Sequence, residues 1–224
     1  VKAAAPSASA ATGPVATGSF ALALADAFAS PRLRVLLGIA LLAALLLPMA
    51  RQLLETSMRL QMLAQYPALM LAGAWLAAAL PSAWARRLLA WNALGISGLC
   101  FISLSLMVLM IPRTLDLALT QPMVEAAKFA ALLLAGAVLW PSWRAAGWVV
   151  QGFFIGNLLL TGVTVGTQYQ DAPQRLCNAY LLDDQQGLGT ALVWGSAGLA
   201  AAWLLLAMWR LSAATTVRPQ GDSP

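Results

Sequence analysis

"QPMVEAAKFAALLLAGAVLW", residues 121–140, decides the fold. Apart from Gln121, Glu125 and Lys128 in its first two turns it is apolar throughout, and a helix needs about 20 such residues to cross a hydrocarbon core of about 30 Å. Lipid offers no partner to open backbone groups, so a long unbroken apolar run selects a helix over a barrel strand. The segment at 122–140 is therefore a membrane span, and 33–50, 58–80, 88–111, 145–167 and 188–209 have the same character. The expected fold class is an all-α integral membrane protein, a bundle of six transmembrane helices.

Composition agrees. The 224 residues are 61% hydrophobic and 9% charged, against about 45 to 50% and about 25% in soluble domains. Mean hydropathy is +0.77. The net charge of +5 is explained by arginines retained on the cytoplasmic side, and no nucleic-acid partner is expected. Cys100 and Cys177 lie in an apolar run and a polar loop and make no disulfide framework. Histidine is absent, which removes the commonest transition-metal ligand and proton shuttle. Any metal site must use sulfur, carboxylate, amide or backbone groups.

Residues 1–31 are expected to be a disordered or interfacial N-terminal tail, 32–210 the six-helix transmembrane domain, and 211–224 a flexible C-terminal tail. Residues 1–19 are small and Pro-interrupted and lack the compact apolar core of a signal peptide. Alternate-side counting gives Lys2, Arg32, Arg34, Arg86, Arg87, Arg144, Arg210 and Arg218 with the N-terminus, against Arg51, Arg59, Arg113 and Arg175. That asymmetry puts both termini in the cytoplasm. Trp84, Trp91, Trp140, Trp143, Trp148 and Trp209 then form an aromatic belt at the inner interface.

The outer ends of the spans collect six of the eight methionines: Met49, Met58, Met62, Met107, Met110 and Met123. Met58 and Met62, and Met107 and Met110, have the spacing of one helix face. Thioethers favour Cu(I), and with Cys177 in the last outer loop they are candidate cuprous ligands; methionine is equally a flexible packing residue. Glu125 and Lys128 stand i, i+3 and can pair. Two readings remain, a polar site facing the bundle interior and a neutralised pair at the membrane edge. In span five, Gly152 with Gly156 and Gly162 with Gly166 have G-x-x-x-G spacing, which serves packing within the chain or a homo-oligomer. No nucleophile elbow, phosphate loop, zinc spacing or dinucleotide fingerprint occurs, so no enzymatic activity is expected.

Three stretches in order resemble the CtaG-type assembly factors of cytochrome c oxidase. "IPRTLDLALTQPMVEAAKFAALLLAGAVLWPSW", residues 111–143, follows the family pattern through Pro112, Asp116, Ala118, Leu119, Pro122, Ala135, Gly136 and Trp140. "DDQQGLGTALVWGSAGLAAAWLLLA", residues 183–207, is similar to the family's D-Q-Q stretch, with an extra residue before Trp194. "ETSMRLQMLAQYPALMLAGAWL", residues 55–76, shares Pro67 and the apolar rhythm of the family's second-span motif.

The resemblance implies a multi-pass protein of the bacterial inner membrane that matures a haem-copper oxidase. Its partners would be the bilayer and oxidase subunits or a copper donor protein. Where the family carries histidines this chain has Gln121, Glu125 and Phe129, and Lys128 stands at the family's glutamate. Near the missing second-span histidines stand Met58, Gln61 and Met62. The resemblance therefore implies either Cu(I) held by a rebuilt outer set of Met58, Met62, Met107, Met110, Met123, Glu125, Cys177 and Asp184, or a scaffold role kept after metal binding was lost; the alternative from another class is a metal-free structural or scaffold subunit of a membrane respiratory complex.

Overall fold

A computed structural model describes residues 30–216. The expectations for residues 1–29, for Lys2 and Arg218, for residues 217–224 and for the Trp84 side chain lie outside the described residues. Among those described, every regular element is helical. The helices are α1 (Pro31–Leu46), α2 (Pro48–Glu55), α3 (Met58–Ala79), α4 (Ser82–Trp91), α5 (Ile96–Leu109), α6 (Pro112–Thr120), α7 (Pro122–Ala145), α8 (Trp148–Asp171) and α9 (Leu182–Thr216).

Prolines punctuate this pattern. A residue before proline is driven out of the helical region, and Leu47, Leu80, Ile111 and Gln121 are all extended ahead of Pro48, Pro81, Pro112 and Pro122. Pro48, Pro112 and Pro122 then open the next helix, where a missing N–H costs nothing. α1 and α2 consequently meet at 70°, and α5 and α6 at 77°.

Four helices, α3, α7, α8 and α9, are each long and apolar enough to cross a membrane alone. Six crossings result if each bent pair, α1 with α2 and α5 with α6, is one broken span. The bundle is thus a multi-span membrane fold, but the expected spans at 33–50 and 88–111 are not straight helices. The first is cut at Leu47, and the second is divided by the turn between Trp91 and Ile96. Apolarity continues through both breaks, so hydropathy alone does not reveal them.

Glycines set two helix crossings. α3 and α7 run parallel and touch backbone to backbone: a Cβ on Gly73 would lie 2.0 Å from Leu133 O, and one on Gly136 1.8 Å from Met70 O. α8 and α9 run antiparallel, with Gly166 against Gly189 and Gly162 against Ser196. Gly152 faces Trp203, while nothing lies near Gly156. Three of the four span-five glycines therefore pack within the chain. Small residues permit this approach where lipid tails supply no hydrophobic drive.

The interior falls into two clusters. One, at the end formed by α2, α6 and the loop after α8, gathers Met58, Met62, Tyr66, Phe129, Tyr169, Cys177, Tyr180 and Leu188. The other gathers Leu99, Ile102, Ala135, Phe154 and Ile155 toward the opposite end. The first end holds all the described carboxylates and is called the polar end below; the opposite end carries most of the tryptophans expected in the belt. Trp91, Trp140, Trp148 and Trp209 are exposed there. Trp143 instead turns inward, edge-on to Phe154 with centroids 6.2 Å apart.

Candidate functional site at the polar end

The site begins with a break in the α3 ladder. Pro67 has no N–H and its ring crowds the carbonyl one turn earlier; immediately before it, Gln61–Gln65 winds as a π-helical turn. Such turns relieve local strain and redirect side chains. Here Gln61, Met62, Gln65 and Tyr66 are all buried. Two amides thus enter an otherwise apolar interior, where each polar atom demands a partner.

Lys128 supplies one. It is 1% exposed, and its Nζ donates to Glu55 Oε1 and to Gln65 Oε1, each at 3.2 Å. Gln65 Nε2 closes the triangle by donating to Glu55 Oε1 at 3.3 Å. An ammonium with a carboxylate and an amide in contact is the condition under which a charge survives burial. Glu125 takes a different cation, forming an ion pair with Arg51 of α2. The expected i, i+3 pairing of Glu125 and Lys128 is therefore replaced by two bridges from α7 to α2. α2 lies across the mouth of the bundle after its 70° bend and brings Arg51 and Glu55 to α7 together.

A second set of contacts fastens the loop between α8 and α9. Tyr180 donates its hydroxyl to Gln61 Oε1 at 2.6 Å. Burial, then the nearby Glu55 charge, pushes the Tyr180 hydroxyl well above its ordinary value, so it keeps the proton it donates. Gln185 accepts from Leu176 N at 2.8 Å and donates to Tyr169 O at 3.1 Å. Asp116 of α6 accepts from Asn178 N at 3.1 Å and from Ala179 N at 3.4 Å.

Cys177 lies buried beneath this loop, its thiol donating to Pro112 O at 3.7 Å. Its pKa is pushed up to about 12, chiefly by burial and then by Asp116. Tyr66 and Tyr169 donate to Leu109 O and Met110 O at 3.2 and 2.6 Å, satisfying carbonyls left open where α5 ends.

Asp184 joins α9 to α3. It accepts from Ser57 Oγ at 2.8 Å, Arg59 Nε at 2.7 Å and the Met58 backbone N–H. A carboxylate at a helix N-terminus satisfies an open donor and meets the positive end of the helix dipole.

The eight residues proposed from sequence do not all converge. Met58, Met62 and Cys177 share one buried cluster, and Met110 packs against it. Met107 and Met123 face outward, 50% and 83% exposed. Glu125 and Asp184 are engaged with Arg51 and Arg59. Among the described residues, no three His, Cys, Asp or Glu side chains are grouped to hold a metal ion, a grouping that leaves thioethers out of account. Glu55, Gln65, Arg51 and Tyr180 belong to the site but not to the sequence-derived set. The i, i+4 spacing of Gln61 and Gln65 in an apolar span was the available signal.

Comparison with protein-family models, curated proteins and solved structures found no match. Fold and site together define a multi-span helical membrane protein with a buried, ion-paired polar core at one end.

Proposed function

We propose that the protein is an assembly or maturation factor for a haem-copper cytochrome c oxidase in the bacterial inner membrane. It acts as a non-enzymatic scaffold that holds the immature enzyme, with its polar end toward the periplasm. The resemblance through residues 111–143 and 183–207 supports the oxidase; the arginine asymmetry supports the orientation. The observation that carries the scaffold form is Lys128. At the position of the family's glutamate it places a fixed ammonium in the interior, already paired with Glu55 and Gln65. A resident cation there repels a metal cation and holds the polar end together in its place.

A second reading, Cu(I) handling, is favoured by the gathering of Met58, Met62 and Cys177 in one buried cluster. That soft donor set suits a cuprous ion better than a harder metal.

Deleting the gene and measuring assembled oxidase from membrane haem spectra and oxygen consumption tests the proposal. The expected result is a loss of oxidase restored equally by the wild type and by Met58→Leu/Met62→Leu. Unchanged oxidase after deletion removes the assembly role. Failure of a folded double variant to restore it favours copper handling.

A further inference from the structure

A lateral notch of about 200 Å³ opens between α3, α5, α8 and α9. Leu63 and Leu199 line it and are 45% and 47% exposed, so it faces outward from the bundle. Its α9 wall belongs to the least covered of the long helices: over the most apolar stretch 6% of residues are buried, against 22% to 33% in α3, α7 and α8. Gly195 stands in that wall, and a Cβ on it would meet nothing within 4 Å.

Asn157 of α8 lines the notch together with Ser103, Thr161 and Ser196. Among the described residues, none hydrogen-bonds to any of these four side chains. At about 1.5 Å per residue, Asn157 lies about 14 Å along α8 from Trp148, near the middle of a hydrocarbon core about 30 Å thick. A carboxamide at that depth has no water to bond, and leaving it unpaired is costly. Acyl chains offer neither donor nor acceptor, and lipid headgroups stay about 15 Å away at the interface. The notch is also smaller than the roughly 300–1,000 Å³ of small-molecule sites. The partner that Asn157 requires is therefore a polar group on another transmembrane helix.

A second copy of this chain meets that requirement with no further condition. An amide donates through Nδ2 and accepts through Oδ1, so two of them satisfy each other. A two-fold axis along the membrane normal sets a residue opposite itself at its own depth. We propose that the protein is a two-fold homodimer in the membrane, with this notch as the interface and the Asn157 amides of the two copies hydrogen-bonded across the axis. Gly195 lets the second copy approach closely, and Ser103, Thr161 and Ser196 add donors and acceptors to the same contact. The interface lies apart from the polar end and holds whichever reading of that end is correct.

The test is the oligomeric state of the purified full chain in mild detergent, read by native mass spectrometry over a range of protein concentrations. The wild type is expected to be dimeric. Asn157→Leu should raise the dimer dissociation constant about tenfold, the scale of paired interhelical polar contacts in lipid. Gly195→Leu fills the open wall and abolishes the dimer. Gly156→Leu is the control: Gly156 is equally open and adjoins Asn157 in sequence, but it lies outside the notch, and its substitution leaves the dimer intact. Gly195→Cys with Cys100→Ser, oxidised in intact membranes before extraction, should cross-link two chains.

A wild type that is monomeric in detergent, with no cross-link in the membrane, overturns the proposal. So does a dimer that survives both Asn157→Leu and Gly195→Leu, or one lost with Gly156→Leu, which would put the contact on the outer face of α8. A monomer carrying a lipid adduct that Gly195→Leu removes makes lipid the occupant and overturns it as well. Should a leucine variant unfold the protein, the membrane cross-link decides alone.

Discussion

Lys128 of α7 and Glu55 of α2 meet at 3.2 Å across 73 residues of chain, with the lysine side chain fully buried. The contact exists because α2 bends at Leu47 and crosses the mouth of the bundle. Breaking a buried pair by removing one partner costs about 3 to 5 kcal/mol, since the other charge is left stranded. Glu55→Gln is therefore expected to lower stability by about that amount in detergent-monitored unfolding. Glu55→Gln with Lys128→Met should recover most of the loss. A single variant as stable as wild type would mean that Lys128 has another acceptor.

Helix approach gives a second expectation. Gly136→Ala drives a methyl into Met70 O, and overpacking of this kind costs about 1 to 3 kcal/mol. Gly156→Ala, with nothing near its Cβ, should stay within about 0.5 kcal/mol of wild type. Equal losses in an unfolding titration would show that the α3–α7 crossing is looser than described.

Asp184 separates a cap from a surface ion pair. Asp184→Asn is expected to cost about 1 to 2 kcal/mol, because a charged acceptor shared by Ser57, Arg59 and Met58 N–H is weakened. Arg59→Gln removes only the half-exposed partner and should cost less than about 1 kcal/mol. Thermal unfolding of the two variants side by side checks the order.

Cys177 predicts an alkaline effect. Its folded pKa of about 12 lies above the roughly 8.5 of an unfolded thiol. Above the lower value the unfolded state releases its proton first, so stability is full below about pH 8.5 and declines as pH rises toward the folded value. Cys177→Ser should flatten that decline between pH 9 and 11. Iodoacetamide should spare Cys177 at pH 8 until the protein is unfolded. An unchanged pH slope, or rapid labelling of the folded chain, would contradict the burial.

Much of this molecule is legible in its sequence. The apolar runs at 58–80 and 122–140 are α3 and the core of α7, because span length and hydropathy are local properties. The proline bends at Leu47 and Ile111 were legible in principle, since each precedes a proline that opens a new helix. What hydropathy did not give is where α2 and α6 lie, because both are short amphipathic helices, mostly beyond the spans read at 33–50 and 88–111, and their direction is set by the bends and by tertiary contacts.

The site was half legible. Glu125 and Lys128 stand out as charges in an apolar helix, but their partners are set by tertiary placement: Arg51 and Glu55 lie more than 70 positions earlier. Spacing along one helix offered the nearer pairing, and the bent α2 offered the better one. The methionine pattern was blunt for the same reason. Helix spacing places Met58 with Met62, and Met107 with Met110, but does not say which faces turn inward. Met58 and Met62 do, while Met107 faces out.

The central claim is that the polar end is held by its own charges and amides, with Lys128 as the resident cation. Cuprous-ion stoichiometry of the purified protein, measured beside Met58→Leu/Met62→Leu, tests it most directly. The wild type is expected to bind no copper above the double variant. One equivalent of Cu(I) on the wild type, lost from the folded double variant, would contradict it.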